Sequence, residues 1–114
     1  NVAYQLKSDV DAAYVRLAKR LLTEGMYPAI ATHDEEILDE VKRFAAERAI
    51  PADAYEFQML YGIRRDLQND CRDAGHRVRV YVPFGREWFP YFMRRLGERP
   101  ANVGFVVRSL FAER

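Results

Sequence analysis

Four side chains near the end of the chain have the types and spacing to hold a small anion. With Tyr91 set at zero and ~100° per residue, Arg94, Arg95 and Glu98 fall at about −60°, +40° and −20°, so all four share one helical face. Phe89, Phe92, Met93 and Leu96 gather on the opposite side, at roughly 100–200°. The pattern predicts a helix anchored on the core by its apolar face, with a tyrosine, two guanidiniums and a carboxylate displayed elsewhere. Adjacent guanidiniums suit a small carboxylate or phosphate, because each gives a forked pair of hydrogen bonds. Glu98, four residues after Arg94, can hold that arginine by an i,i+4 pair. Spacing alone favours the plainer alternative, a solvated charged face.

Other candidates carry less. Arg64-Arg65 is a second tandem pair, placed at a helix start where cations are disfavoured. A phosphate contact fits it, and a surface role fits it more simply. Thr32-His33 stands where a strand meets a helix, the position of the active-site rim in a barrel. A lone histidine there is more often a structural hydrogen-bonder. His76 reads as a loop residue, and Cys71, flanked by Asp70, Arg72 and Asp73, as packed or surface rather than nucleophilic. The sequence holds no Cys/His metal spacing, Ser-His-Asp signature or glycine-rich phosphate loop.

The elements that must position these groups alternate. A first helix is expected from about Ser8 to Glu24, with Ser8 and Asp11 as a capping box, a stripe of Val10, Tyr14, Leu17, Ala18 and Leu21, and Gly25 as its stop. Tyr27–Thr32 has strand length. Asp34-Glu35-Glu36 then places three carboxylates at a helix N-terminus, and Ile37, Leu38, Val41, Phe44 and Ala45 supply that helix's apolar face. Tyr55–Tyr61 is the next strand, Ile63–Ala74 a short helix, and His76–Val82 the third strand. Pro90 suits the first position of the helix that ends near Arg99, and Ala101–Glu113 is expected to form one more, with Asn102 as a cap. Helix followed by three rounds of strand and helix implies βαβ units and parallel strands. Three strands make a thin sheet, and a full eight-fold barrel takes ~250 residues, or about 31 per unit. The pattern therefore reads as a piece of an α/β fold, with a barrel the natural whole.

Strand polarity points to where a ligand would lie. A parallel strand buried on both faces should be apolar on both. In the second strand, however, Tyr55, Phe57, Met59 and Tyr61 oppose Glu56, Gln58 and Leu60, and in the third Val78, Val80 and Val82 oppose Arg77, Arg79 and Tyr81. The apolar sets should lie beneath helices, and the mixed sets should face a wet interior or cleft. An antiparallel, half-exposed sheet would show the same alternation; the strand–helix rhythm favours the polar interior.

Composition sets bounds. The 114 residues (13.3 kDa) allow one small domain, and 49% hydrophobic and 31% charged residues with only five prolines exclude a disordered chain. A net charge of +1 leaves no global field to recruit nucleic acid or an anionic membrane. A single cysteine favours a reducing compartment. No apolar run approaches the ~18 residues of a membrane span. No signal peptide opens the chain, and Asn1 reads as a cut rather than an initiation.

Taken together, the segment YFMRRLGERPANVGFVVR resembles the closing helix motif of proline dehydrogenase, a flavoenzyme family of proline catabolism. AIATHD, YEFQMLYG and VRVYVPFG resemble its strand ends in the same order, so the likeness covers nearly all of residues 1–114. The resemblance implies a distorted (βα)8 TIM barrel, of which this α/β chain is the C-terminal portion, the last three strand–helix units. It implies non-covalently bound FAD, with L-proline oxidised to Δ1-pyrroline-5-carboxylate by hydride transfer from its ring carbon to flavin N5. A membrane quinone would then accept the electrons. Arg94 and Arg95 match the pair that clamps the proline carboxylate, and Glu98 and Tyr91 their neighbours on the same helix. Tyr81 matches a tyrosine after the last strand, Leu60 an apolar wall of the substrate pocket, and Thr32 and His33 residues that line FAD. None of these is a catalytic acid or base, because the flavin does the redox work.

The resemblance places a substrate-contacting lysine, an aspartate and most flavin-binding residues on earlier strands, so the remaining N-terminal part of the barrel is an expected partner. Gly97 departs from the family's helix and costs it about 1 kcal/mol relative to Ala. The implied location is the cytoplasm, compatible with peripheral contact to the inner face of a bacterial membrane. Two other readings stay open: a non-catalytic anion- or nucleic-acid-binding module built on the tandem arginines, and an unrelated barrel piece that holds a phosphorylated metabolite.

Overall fold

The computed structural model of the chain describes residue 3 and residues 5–97. Its elements are α1 (Lys7–Glu24), β1 (Ala29–Ala31), α2 (Glu35–Glu47), β2 (Glu56–Leu60), α3 (Arg65–Asp73), β3 (Val78–Tyr81) and α4 (Trp88–Gly97). The three strands form one parallel sheet in the order β1-β2-β3. Ala29 pairs with Glu56 and Ala31 with Gln58; Gln58 pairs with Arg79 and Leu60 with Tyr81. The strand–helix alternation thus yields the parallel sheet expected of it, and the antiparallel alternative is excluded.

One face of this sheet is the core. Ile30, Phe57 and Met59 are buried against Ala18 and Leu22 of α1, Leu38, Val41 and Ala45 of α2, and Leu67 and Cys71 of α3. Each fully buried large side chain among them contributes about 1.5–3 kcal/mol of transfer free energy. The expected apolar face of α2 is the one it buries, with Phe44 at the margin. Asp34 caps that helix, its carboxylate accepting from the Glu36 and Ile37 N–H groups at 3.0 and 3.4 Å. Glu35 and Glu36 stand in the first turn, where the helix dipole favours negative charge. Cys71 lies wholly inside.

Several local expectations need correction. The capping box at Ser8 and Asp11 does not form: α1 begins at Lys7 after Leu6, without a side-chain cap, and Asp11 instead pairs with Lys7 at 2.5 Å. The stripe on α1 holds in part: Tyr14 and Ala18 pack on the core, and the rest of it does not. Val10, Leu17 and Leu21 are exposed, whereas Ala13, Ala18 and Leu22 are buried with Val15 beside them. Two contacts hold the helix there, one from within the stripe, Tyr14 Oη donating to the Ala31 carbonyl at 2.6 Å, and one from outside it, Lys19 donating to Glu40 of α2 at 2.8 Å. Gly25 does stop α1, though not through a left-handed φ; a Cβ there would lie 2.6 Å from the Leu21 carbonyl oxygen. The strands are shorter than their apolar runs. Ile63 is buried in a turn ahead of α3 rather than in the helix, and Arg64 occupies the left-handed region at φ 50°.

At α4, Pro90 is the third residue, still within the turn whose N–H groups have no helical partner. The apolar side of α4 is not anchored on the core: Trp88, Phe89 and Met93 are exposed. The helix expected over Ala101–Glu113 lies outside the described residues.

Candidate functional site at the strand carboxyl ends

The second face of the sheet carries the mixed-polarity sets. Among the described residues no helix covers it, and Ala29, Ala31, Arg79 and Tyr81 are exposed there. Its middle row is polar and tightly joined. Arg79 donates a forked pair to Glu56, Nε to Oε1 at 2.7 Å and Nη2 to Oε2 at 3.1 Å. Gln58 Nε2 donates to Oε1 at 2.8 Å, and Tyr27 Oη to Oε2 at 3.3 Å. These partners hold the Glu56 carboxyl down to about 2, the Arg79 guanidinium foremost and the Gln58 amide next. Glu56 is only 6% exposed, and its cover is these same side chains rather than apolar packing.

At the upper row, where the strands end, the expected site residues meet. Leu60 and Tyr81 are cross-strand partners. The Tyr81 ring lies 5.8 Å from that of Tyr91 on α4, tilted by 47°. The Arg95 guanidinium then lies over the other ring of this pair, 5.3 Å from the Tyr91 centroid, within the range of a cation–π contact. So α4 leans back over the strand ends, and a continuous stack of Tyr81, Tyr91 and Arg95 links β3 to it. Arg94 is exposed beside Arg95. Glu98 lies outside the described residues.

At the β1 end, His33 is the structural hydrogen-bonder that the plainer reading expected. His33 Nε2 accepts from the Leu60 N–H at 2.9 Å, which places the neutral ring's proton on Nδ1. Its position is therefore set by β2, 27 residues away in sequence. Thr32 is buried, with its hydroxyl oxygen accepting from Asp34 N–H at 3.1 Å. It shapes the turn into α2.

The tandem Arg64-Arg65 is already engaged. Arg64, its side chain only 14% exposed, is paired with Glu35 and Asp66, while Arg65 lies over the Tyr61 ring. Its surface role holds for Arg65 alone. His76 lies in the loop before β3, as expected, and it is hydrogen-bonded to Tyr55 at 3.3 Å and packs edge-on against Phe57. Burial, and then the charge of Lys42, push its pKa below the usual 6.5. A groove of about 580 Å³ lies between α1 and the first half of α2, and its walls include the Lys19–Glu40 pair.

Comparison with known proteins decides the family. The profile of the proline dehydrogenase family matches residues 2–108. This chain belongs to the proline dehydrogenase family. It is 55% identical over 109 residues to a proline dehydrogenase of Deinococcus radiodurans, covering 96% of this chain and 35% of that protein. To proline dehydrogenase 1 of Bacillus subtilis (strain 168) it is 49% identical, covering 96% of this chain and 36% of the relative. The chain thus spans about a third of the length of the curated relatives it matches. It also superimposes on the crystal structure of proline utilization A (PutA) from Bdellovibrio bacteriovorus inactivated by N-propargylglycine. There the TM-score is 0.76 at 37% identity, over 82% of this chain and 10% of that one.

The aromatic and cationic groups at the strand ends were legible in the sequence, and their supports were not. The Glu56–Arg79 pair was visible only as two polar residues on mixed strands. His33 was legible as a structural hydrogen-bonder, but its partner, the Leu60 N–H, was not, since an imidazole accepting a backbone N–H leaves no spacing pattern.

Proposed function

We propose that this chain supplies the last three strand–helix units of a distorted (βα)8 barrel that oxidises L-proline to Δ1-pyrroline-5-carboxylate with FAD. The observation that carries the reading is the Tyr81–Tyr91–Arg95 stack at the carboxyl ends of a parallel sheet, on the face opposite the helices. In barrels that end of the sheet holds the site. Both edge strands, β1 and β3, have a single sheet neighbour among the described residues. Parallel sheets are covered on both faces, so the remaining strands, on a longer polypeptide or a second chain, would close the polar face into an interior.

The residues present fit one side of such a site. Arg94 and Arg95 receive the proline carboxylate, and forked hydrogen bonds fix its plane as well as its position. Tyr91 supports Arg95 from beneath, so the guanidinium is orientated before the substrate arrives, which lowers the entropy cost of binding. Leu60 and Tyr81 bound the ring. Proline becomes the imine by losing a hydride from a ring carbon and a proton from nitrogen, and the flavin, when bound, supplies the hydride acceptor. His33, a half-buried neutral imidazole at the rim, is the residue here suited to lie against that planar group; Thr32, turned inward, helps through the turn it builds. A membrane quinone would receive the electrons, with peripheral association at the inner membrane face. No described helix is long and apolar enough to cross a membrane.

The test is Arg94→Met and Arg95→Met in the complete enzyme. Loss of a charge-assisted pair, worth about 1.5–3 kcal/mol, should raise the proline KM by ten- to a hundredfold while flavin stays bound. An unchanged KM in both variants would refute the clamp. Salt-dependent binding of polyanions by the complete protein would favour the non-catalytic module instead, although a net charge of +1 speaks against it.

A further inference from the structure

Leu60 is the last residue of β2; it pairs with Tyr81 of β3 but has no partner on β1. Glu56 N–H donates towards the β1 side, to Pro28 O at 3.1 Å, and the two-residue period puts Leu60 on that same side. But β1 has already ended at Ala31. Two side chains from elsewhere take over. His33 Nε2 accepts the Leu60 N–H at 2.9 Å. Gln68 of α3 donates its amide to the Leu60 carbonyl at 3.1 Å and to the Ile63 carbonyl at 2.9 Å. Both of its acceptors are carbonyl oxygens, so the amide nitrogen must face them. Leu60 O also accepts from Ile63 N–H at 3.3 Å, closing a turn in which Gly62 sits at φ +78°. The Gln68 amide therefore staples both ends of the turn that leads away from Leu60.

We propose that Gln68 is a positioning residue that, with His33, fixes Leu60 as a wall of the substrate pocket and so sets the ring size the site accepts. The inference rests on the reading above, in which Leu60 bounds the proline ring. Loss of the Gln68 amide leaves the Ile63 N–H on the Leu60 carbonyl, so the turn persists while the wall loosens. The expected signature is a change in selectivity rather than a collapse.

The experiment uses the complete flavin-loaded enzyme and compares kcat/KM for L-proline with that for its six-membered-ring homologue, which adds one methylene. Leu60→Ala should shift the ratio towards the larger ring by roughly tenfold or more, the range for one methylene in an apolar pocket. Gln68→Met should shift it the same way by about threefold to tenfold, with flavin content unchanged, and should add nothing once Leu60→Ala is present. Should Gln68→Met fail to fold, the isosteric Gln68→Glu, which lacks both amide donors, is read in the same way. A shifted ratio in Leu60→Ala with an unchanged one in the Gln68 variants overturns the proposal and leaves the pocket reading intact. Equal losses for both substrates in the Gln68 variants overturn it too, since that marks a structural role. An unchanged ratio in Leu60→Ala overturns the pocket reading itself, and this inference with it.

Discussion

Glu56→Gln keeps the shape of the side chain at the centre of the polar face and removes its charge. In the folded protein the carboxyl is lowered from the ordinary 4.5 to about 2. A group lowered on folding stabilises the native state above its unfolded pKa, and that contribution fades as pH falls through the folded value. Here the window runs from about pH 4.5 down to about 2. Realised in full, such a shift corresponds to about 3 kcal/mol at neutral pH. The Arg79 side chain is 67% exposed, however, so solvent screens the pair, and about 1–2 kcal/mol is the expected share. The assay is urea unfolding of the complete protein and of the variant from pH 7 to pH 2.5. The variant should unfold earlier by 1–2 kcal/mol at pH 7, roughly the discounted value, and the gap should close progressively below pH 4.5. A gap that stays constant to pH 2.5 would show that Glu56 acts by packing rather than charge. No gap at pH 7 would show that the fork with Arg79 offsets only its own desolvation.

Two further outcomes follow from the same geometry. Asp34→Ala removes the acceptor of the Glu36 and Ile37 N–H groups and should cost about 1 kcal/mol; faster hydrogen exchange at those two amides, with Asp34→Asn restoring most of the protection, is the check. His76 is held neutral by burial and by Lys42, so the wild-type protein should lose stability as pH falls from 6.5 through the lower folded value. In His76→Phe that part of the pH dependence should vanish between pH 7.5 and 5, as read from urea midpoints, and identical slopes would count against it.

The comparison of sequence with structure divides by range. The parallel sheet was legible because strand–helix alternation constrains topology, and the apolar face of α2 was legible because its spacing repeats every 3.6 residues. The face shared by Tyr91, Arg94 and Arg95 was legible for the same reason, and Tyr91 and Arg95 do stack as neighbours on one turn. Local pattern misled where a distant contact competed. On α1, Tyr14 and Ala18 of the expected stripe reach the core but Val10, Leu17 and Leu21 do not, while Tyr14 and Lys19 find partners on β1 and α2. The apolar side of α4 has the right period, yet Phe89 and Met93 stay exposed, since periodicity says that a face is apolar and not what covers it.

What the sequence determined by itself is the family, through the likeness of its motifs, and the order of elements and which side chains can share a face, through backbone periods of two and 3.6 residues. Only the tertiary structure decided that Glu56 meets Arg79 across 23 residues and His33 meets Leu60 across 27. Those pairings depend on strand register and on where β1 ends, and register is a property of two segments together that neither encodes alone.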